Sequence, residues 1–183
     1  VFFSTGLDEH SQNVEKAAKA QGLEAQPYCD GIAATVRAVV DQMDVAYDRF
    51  IRTSDPDHMK VAQHLIGRAH KAGDVYKQKY EGLYCDGCEV FYLEKDLAPG
   101  ATAGEWLCPT HKRAAKQVSE ENYFFRLSAY QAQIEKLFTA AAPFFEPAHR
   151  RAEIYEFVKG GLKDFSVSRT SFTFGIPVPW DPQ

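Results

Sequence analysis

Apolar and polar positions along this chain follow two rhythms that change at about residue 75. In the first, short apolar runs take turns with apolar residues at helical spacing. Val1-Phe2-Phe3-Ser4-Thr5 suits a buried strand ended by Gly6. The polar stretch Leu7-Asp8-Glu9-His10-Ser11 then leads into a helix with Val14, Ala17 and Ala18 on one face and Gly22 as its stop. Asp30 is placed to cap a second helix carrying Ile32, Val36, Val39, Val40 and Met43, and residues 47–53 (YDRFIRT) form a second strand. Asp55-Pro56 opens a third helix, with Val61, Leu65 and Ala69 inward and Gly73 closing it. Strand alternating with helix predicts an α/β fold, with helices on the faces of a parallel sheet.

After residue 75 the period shortens. Tyr76, Tyr80 and Tyr84 share one face of an extended segment, and residues 89–93 alternate again and pair back as a hairpin. Residues 98–104 (APGATAG) read as a flexible loop tip. The stretch 75–125 is therefore a small β-rich unit, too poor in apolar residues to hold itself together unaided. The aromatic cluster Asn122-Tyr123-Phe124-Phe125-Arg126 reads as core. Ser128 then caps a helix with Tyr130, Ile134, Leu137 and Phe138 inward. Pro147 begins another helix with Ile154, Phe157 and Val158 buried, and Gly160-Gly161 ends it. The remainder, 162–179, is extended and broken by prolines; Arg169 sits there among Ser166, Val167, Ser168 and Thr170, which alternate as a strand.

Within the β-rich stretch lies the clearest chemistry. Cys85-x-x-Cys88 is followed after nineteen residues by Cys108-x-x-His111. Each short pair can aim two donors at one tetrahedral centre, which is a zinc knuckle pattern. Three thiolates and one imidazole suit Zn²⁺, and a filled four-coordinate set is structural rather than catalytic. Gly87 allows the first turn to fold back under the metal, and Pro109 stiffens the second. A disulfide pair or packed thiols are the blander readings of these cysteines, and the paired spacing argues against both. The fourth cysteine, Cys29, has no base or cation beside it in sequence and reads as a packed thiol.

Beyond the first strand's carboxyl end, where ligands bind in open α/β sheets, lie Asp8, Glu9 and His10. The simpler reading of Asp8 is a carboxylate satisfying amides at a helix N-terminus. His58, His64 and His70 lack ligand spacing and read as helix-flank residues. A lone strand arginine such as Arg169 is most often an ion-pair partner.

Composition adds exclusions. A net charge of −4 and an acidic knuckle (Asp86, Glu89, Glu94, Asp96, Glu105) argue against a strong nucleic-acid patch; the basic run Lys112, Arg113, Lys116 is short. No apolar run is long enough to span a bilayer and no signal peptide is seen, so no membrane role is expected. Four cysteines, three of them in the knuckle, fit a reducing, cytoplasmic setting. The ends, an apolar run without initiator methionine and Trp180-Asp181-Pro182-Gln183, look cut from a longer protein.

Several segments in order resemble the methionyl-tRNA synthetases, class I aminoacyl-tRNA synthetases. These are STGLDEH (4–10), YDRFIRT (47–53), VYKQKYEGLYCDGCEVFY (75–92), CPTH (108–111), ENYFFRLSAY (121–130) and LKDFSVSRTSFTFGIPVPW (162–180). The resemblance implies a partial Rossmann-like catalytic domain over 1–74, a connective-peptide insertion with a zinc knuckle (85–111) over 75–164, and a return to the catalytic domain over 165–183. It implies ATP-dependent ligation of L-methionine to tRNA(Met) through methionyl-adenylate, with ATP and Mg²⁺ as substrates of the full enzyme. By position, Asp8 matches the carboxylate that holds the methionine ammonium group. Arg169 matches the arginine that fixes acidic groups around amino acid and nucleotide, and His10 shares the Asp8 motif. Ser11 stands where the family usually has glycine, Phe165 where some members have tryptophan, and Phe174 in place of another tryptophan. The HIGH-like and KMSKS-like motifs are absent from these residues, so no catalytic set is complete and the chain alone is expected to be inactive. The competing classes are a non-enzymatic zinc-binding interaction module and a leucyl-, valyl- or isoleucyl-type synthetase, whose editing insertion would need more residues than are present.

Overall fold

The computed structural model describes residues 1–88, 90–102, 104–139, 145–170 and 173–182. In chain order its elements are β1 (Ser4–Leu7), α1 (Gln12–Ala20), α2 (Ala25–Gln42), β2 (Arg49–Arg52), α3 (Pro56–Lys71), β3 (Val75–Cys85) and β4 (Val90–Tyr92). They continue as β5 (Ala98–Pro99), β6 (Trp106–Leu107), β7 (Lys116–Phe125), α4 (Gln131–Thr139), α5 (Ala148–Lys159) and β8 (Phe165–Ser166). Contacts divide the chain into two compact units: Val1–Gly67 with Lys79–Glu120 and Thr170–Gln183, and Arg68–Gln78 with Glu121–Arg169.

In the first unit β1 and β2 are parallel, in register from Ser4 against Arg49 to Leu7 against Arg52. The expected α/β arrangement with a parallel sheet is therefore present, but β1 is displaced. Val1, Phe2 and Phe3 are exposed, and Gly6 lies inside the strand rather than ending it. A Cβ on Gly6 would lie 1.7 Å from the Ile51 carbonyl oxygen, so only glycine lets the two backbones approach there. Residue 6 is a packing glycine, not a terminator.

The two long helices also depart from expectation. Helix α2 starts at Ala25, five residues before Asp30, because Pro27 is tolerated in a first turn. Asp30 is not a cap; its carboxylate accepts hydrogen bonds from Gln26 and Arg52. The helix buries Cys29 and Ala33 and half-buries Val36 and Val40, while Ile32, Val39 and Met43 are exposed. In α3 the expected inward residues Val61 and Leu65 are exposed, and Met59, Ala62 and Ile66 are half-buried instead. Adjacent stripes one residue apart share the same period, so spacing alone did not choose between them.

The hairpin expected after β3 forms, with Leu83 opposite Tyr92 and Cys85 opposite Val90. Glu89, placed at its start by sequence, lies outside the described residues. Tyr80 and Tyr84 pack their rings on Phe91, with centroids 4.6 and 4.9 Å apart. The stretch read as a loop tip begins in a strand: β5 pairs antiparallel with β6, Ala98 against Leu107. Ala103, at its centre, is not among the described residues.

In the second unit β7 carries the aromatic cluster, with Asn122 and Phe124 buried, and pairs with β8 through Phe124–Ser166 and Phe125–Phe165. Ser128 caps nothing through its side chain; it lies in a 3-10 turn, and its amide donates to Asp164 Oδ1 at 2.9 Å. Tyr130 donates to Asp74 Oδ2 at 2.5 Å, closing the turn onto the start of β3. Phe138 of α4 and Val158 of α5 are buried as expected, but Ile154 and Phe157 are exposed, and no other described side chain of α5 is buried.

Candidate metal centre and strand-end loop

The first ligand pair is set by the β3–β4 hairpin. Cys85 ends β3, and the Gly87 and Cys88 amides donate to its sulfur. The second pair is set by a tight turn in which the Cys108 amide donates to the Arg113 carbonyl and the Lys112 amide to the Cys108 carbonyl, both at 2.9 Å. Lys112 takes the left-handed conformation this turn needs, at φ 52°. These two turns bring Cys85 Sγ, Cys88 Sγ, Cys108 Sγ and His111 Nδ1 within 4.8 Å of one another.

The distances have the scale of one coordination sphere. Cys88 and Cys108 sulfurs are 3.5 Å apart, and His111 Nδ1 lies 3.1, 3.8 and 3.9 Å from Cys88, Cys108 and Cys85. A tetrahedral ion with bonds of about 2.3 Å spaces its ligands by roughly 3.8 Å. A disulfide would need about 2.05 Å, so the cysteines are thiols able to hold a metal ion. Burial pushes the Cys85 thiol up. Burial acts the same way on Cys108, but hydrogen bonds from the His111 amide and ring, and from the other two cysteines, outweigh it and bring that thiol down to about 5. Tyr92 Oη donates to Cys88 Sγ at 3.3 Å, and this bond to the sulfur holds its phenol well above the usual range. Gly87 is needed at the turn: a Cβ there would lie 2.8 Å from the His111 ring.

One further tie leaves the knuckle. Asp86, between the first two cysteines, accepts from Lys116 and Lys16 Nζ at 2.5 and 3.1 Å, and its carbonyl accepts from Asn13 at 3.3 Å. Helix α1 is thus joined to the metal turn.

Helix α1 is capped by Ser11, whose hydroxyl accepts from the Val14 amide at 3.1 Å. The helix-terminus reading of Asp8 therefore fails, and Asp8 is an exposed carboxylate beyond the end of β1. His10 is half-buried against Phe174, centroids 5.0 Å apart; burial pushes its imidazole down, against the pull of Asp8 and Glu9. Arg169 does not lie in a strand. It follows β8, half-buried, with Nη1 donating to the Ser168 carbonyl at 3.1 Å, and belongs to the second unit.

Sequence reading missed the residues that hold this loop. Glu9 is buried, at 3% exposure. Its carboxylate accepts from Arg52 Nε at 2.7 Å and from the Ser54 hydroxyl, and Arg52 Nη2 also donates to Asp30 at 2.7 Å. Its amide donates to Thr53 Oγ1 at 2.9 Å. The bond to Glu9 raises the Arg52 guanidinium's affinity for its proton above the usual arginine value. The available hint was polar side chains at both strand ends, Glu9 after β1 and Arg52-Thr53-Ser54 at the end of β2.

A parallel strand pair joined through helices, with polar side chains gathered at its carboxyl ends, is the arrangement in which open α/β sheets bind ligands. Its class is settled by comparison: the model of the family described as tRNA synthetases class I (M) matches residues 1–183, and the chain belongs to that family. Relatives of the chain are methionine–tRNA ligases. That of Caldanaerobacter subterraneus subsp. tengcongensis is 41% identical over 183 residues, covering 100% of this chain and 28% of the relative. That of Thermotoga maritima is 42% identical, with 100% and 29% covered. Among solved structures, Mycobacterium tuberculosis methionyl-tRNA synthetase in complex with methionyl-adenylate matches with TM-score 0.87 at 36% identity, covering 100% of this chain and 35% of that one. Its free-state form matches with TM-score 0.69 at 35% identity, covering 85% and 31%. The chain spans about a third of the length of the relatives it matches.

Proposed function

We propose that this chain is a segment of a methionine–tRNA ligase, a cytoplasmic enzyme that uses ATP with Mg²⁺ to join L-methionine to tRNA(Met) through methionyl-adenylate. The observation that carries this reading is the end-to-end likeness to a relative described as bound to methionyl-adenylate. On this reading 1–74 and 165–183 belong to the Rossmann-like catalytic domain and 75–164 to a connective-peptide insertion.

The insertion holds one Zn²⁺ through Cys85, Cys88, Cys108 and His111. Three soft thiolates, an imidazole and donor separations of 3.1, 3.5, 3.8 and 3.9 Å favour that ion, and with all four positions taken its role is structural. Asp8, exposed beyond β1, takes the methionine ammonium group as a charge-assisted hydrogen-bond acceptor. His10 helps shape the same loop, and Arg169 fixes acidic groups around amino acid and nucleotide.

The test is methionine-dependent ATP–pyrophosphate exchange by the ligase containing this segment, numbered as here. Asp8→Asn raises the methionine KM about tenfold or more, because a charged partner is lost, while the ATP KM stays put. The 183-residue chain alone gives no exchange. An Asp8→Asn enzyme with unchanged methionine KM refutes the assignment of Asp8, and exchange with another amino acid in place of methionine refutes the substrate.

A further inference from the structure

Asp8 is held between two hydrogen bonds that converge on one residue. The Thr53 amide donates to the Leu7 carbonyl at 3.1 Å, and Thr53 Oγ1 accepts from the Glu9 amide at 2.9 Å. Asp8 therefore has no independent backbone freedom while both bonds stand: the peptide groups on either side of it are fixed to the end of β2. The Glu9 side chain adds a third anchor. It turns inward where Asp8 turns outward, reaching 3% exposure, and both of its oxygens are engaged, one by Arg52 and one by Ser54. Gln26 extends the set, donating to Ser54 Oγ at 3.3 Å and to Asp30 at 3.0 Å.

A surface ion pair would carry little of this, but Glu9 and Arg52 are at 3% and 16% side-chain exposure. Buried charged hydrogen bonds tolerate few alternative geometries, so the strand-end loop has one arrangement rather than several. An ammonium-binding carboxylate needs that precision, since displacement by about 1 Å can cost around a hundredfold in rate or binding.

We propose that Thr53 and Ser54 are positioning residues for the amino-acid substrate: they act through Glu9 to fix the backbone from which Asp8 reaches the ammonium group, without touching substrate themselves. This rests on the reading of Asp8 above. The experiment again uses the whole ligase in pyrophosphate exchange, with methionine and ATP varied separately. Thr53→Val keeps the side-chain volume and removes the acceptor for the Glu9 amide; it raises the methionine KM about tenfold, as loss of one fixing hydrogen bond predicts. Its kcat stays within about threefold and its ATP KM is unchanged, and Thr53→Ser, which keeps the oxygen, restores methionine KM to within about twofold. Ser54→Ala, a gentler change, raises methionine KM about threefold.

A purely structural role would lower melting temperature and active fraction, hence kcat, and leave both KM values where they were. Methionine KM within twofold of the parent in Ser54→Ala and in any folded Thr53→Val overturns the proposal, provided Asp8→Asn shows its own increase. Should Thr53→Val fail to fold, the Ser54→Ala ratio decides alone, because KM does not depend on the folded fraction. An unchanged KM in Asp8→Asn overturns both readings, and is thereby distinguished from failure of the positioning residues only.

Discussion

The metal knuckle and the Asp8 loop are two irregular stretches of the same compact unit, held by opposite means. The knuckle gathers four donors from two tight turns, and few apolar side chains help it. On the zinc reading proposed above, its order depends on an ion that the chain must acquire. The Asp8 loop is held by charged, amide and hydroxyl side chains of the chain itself, drawn from positions 9, 26, 30, 52, 53 and 54. One region is local in sequence and, on that reading, conditional on an ion; the other is scattered in sequence and complete as folded. The contrast predicts that order at the knuckle is lost as a unit, whereas order at the loop is lost bond by bond.

Cys108→Ser gives the sharpest break. Structural zinc in small peptides is worth roughly 10–16 kcal/mol, most of it folding energy. Metal analysis of the purified chain falls from one equivalent of zinc to less than a tenth, and limited proteolysis opens within 85–111. Retention of a full equivalent with an intact 85–111 segment would show that the four residues do not act as one site.

Next in size is Arg52→Met, which leaves the buried Glu9 carboxylate without its cation and costs about 3–5 kcal/mol of stability. Thermal denaturation measures it. Zinc stoichiometry stays at one, and a joint loss of metal would merge the two regions into a single cooperative element. Tyr92→Phe removes the hydroxyl donor to Cys88 and weakens metal affinity about tenfold, read by competition with a chromophoric chelator, with no effect on the loop.

The smallest effect tests the link between them. Lys16→Met removes one of the two cations on Asp86, an exposed pair worth under about 1 kcal/mol. Lys116 first, then Lys16, holds the Asp86 carboxyl below its ordinary 3.8 against the effect of burial. Its folded value is depressed, so its contribution is fully present above pH 3.8 and is lost as acidification passes through the lower folded value. A chemical-denaturation series across that window shows the difference between parent and Lys16→Met shrinking toward lower pH.

The gathering of Cys85, Cys88, Cys108 and His111 was readable from residues because it is carried by spacing: two short pairs predict a shared cluster wherever the chain between them goes. The parallel strand pair was readable for a similar reason, since strand and helix periods differ. The Glu9 network was not, because its members are up to 45 positions apart and only the parallel register places Leu7 beside Arg52. The face of α3 was misassigned by one stripe because both stripes carry apolar residues, and which one packs is decided by neighbours, not by period; α5 buries only Val158 among its described side chains, fewer than its spacing implied. Asp30 misled as a cap because its side chain serves Arg52 from inside α2.

Gly6 leaves no room for drift in the genetic text. Every single-nucleotide missense change of a glycine codon installs a β-carbon, and here that atom would be driven into a neighbouring carbonyl rather than into a movable side chain. The join between β1 and β2 is thus closed to stepwise evolutionary exploration at this position, and change there must come through the residues around it.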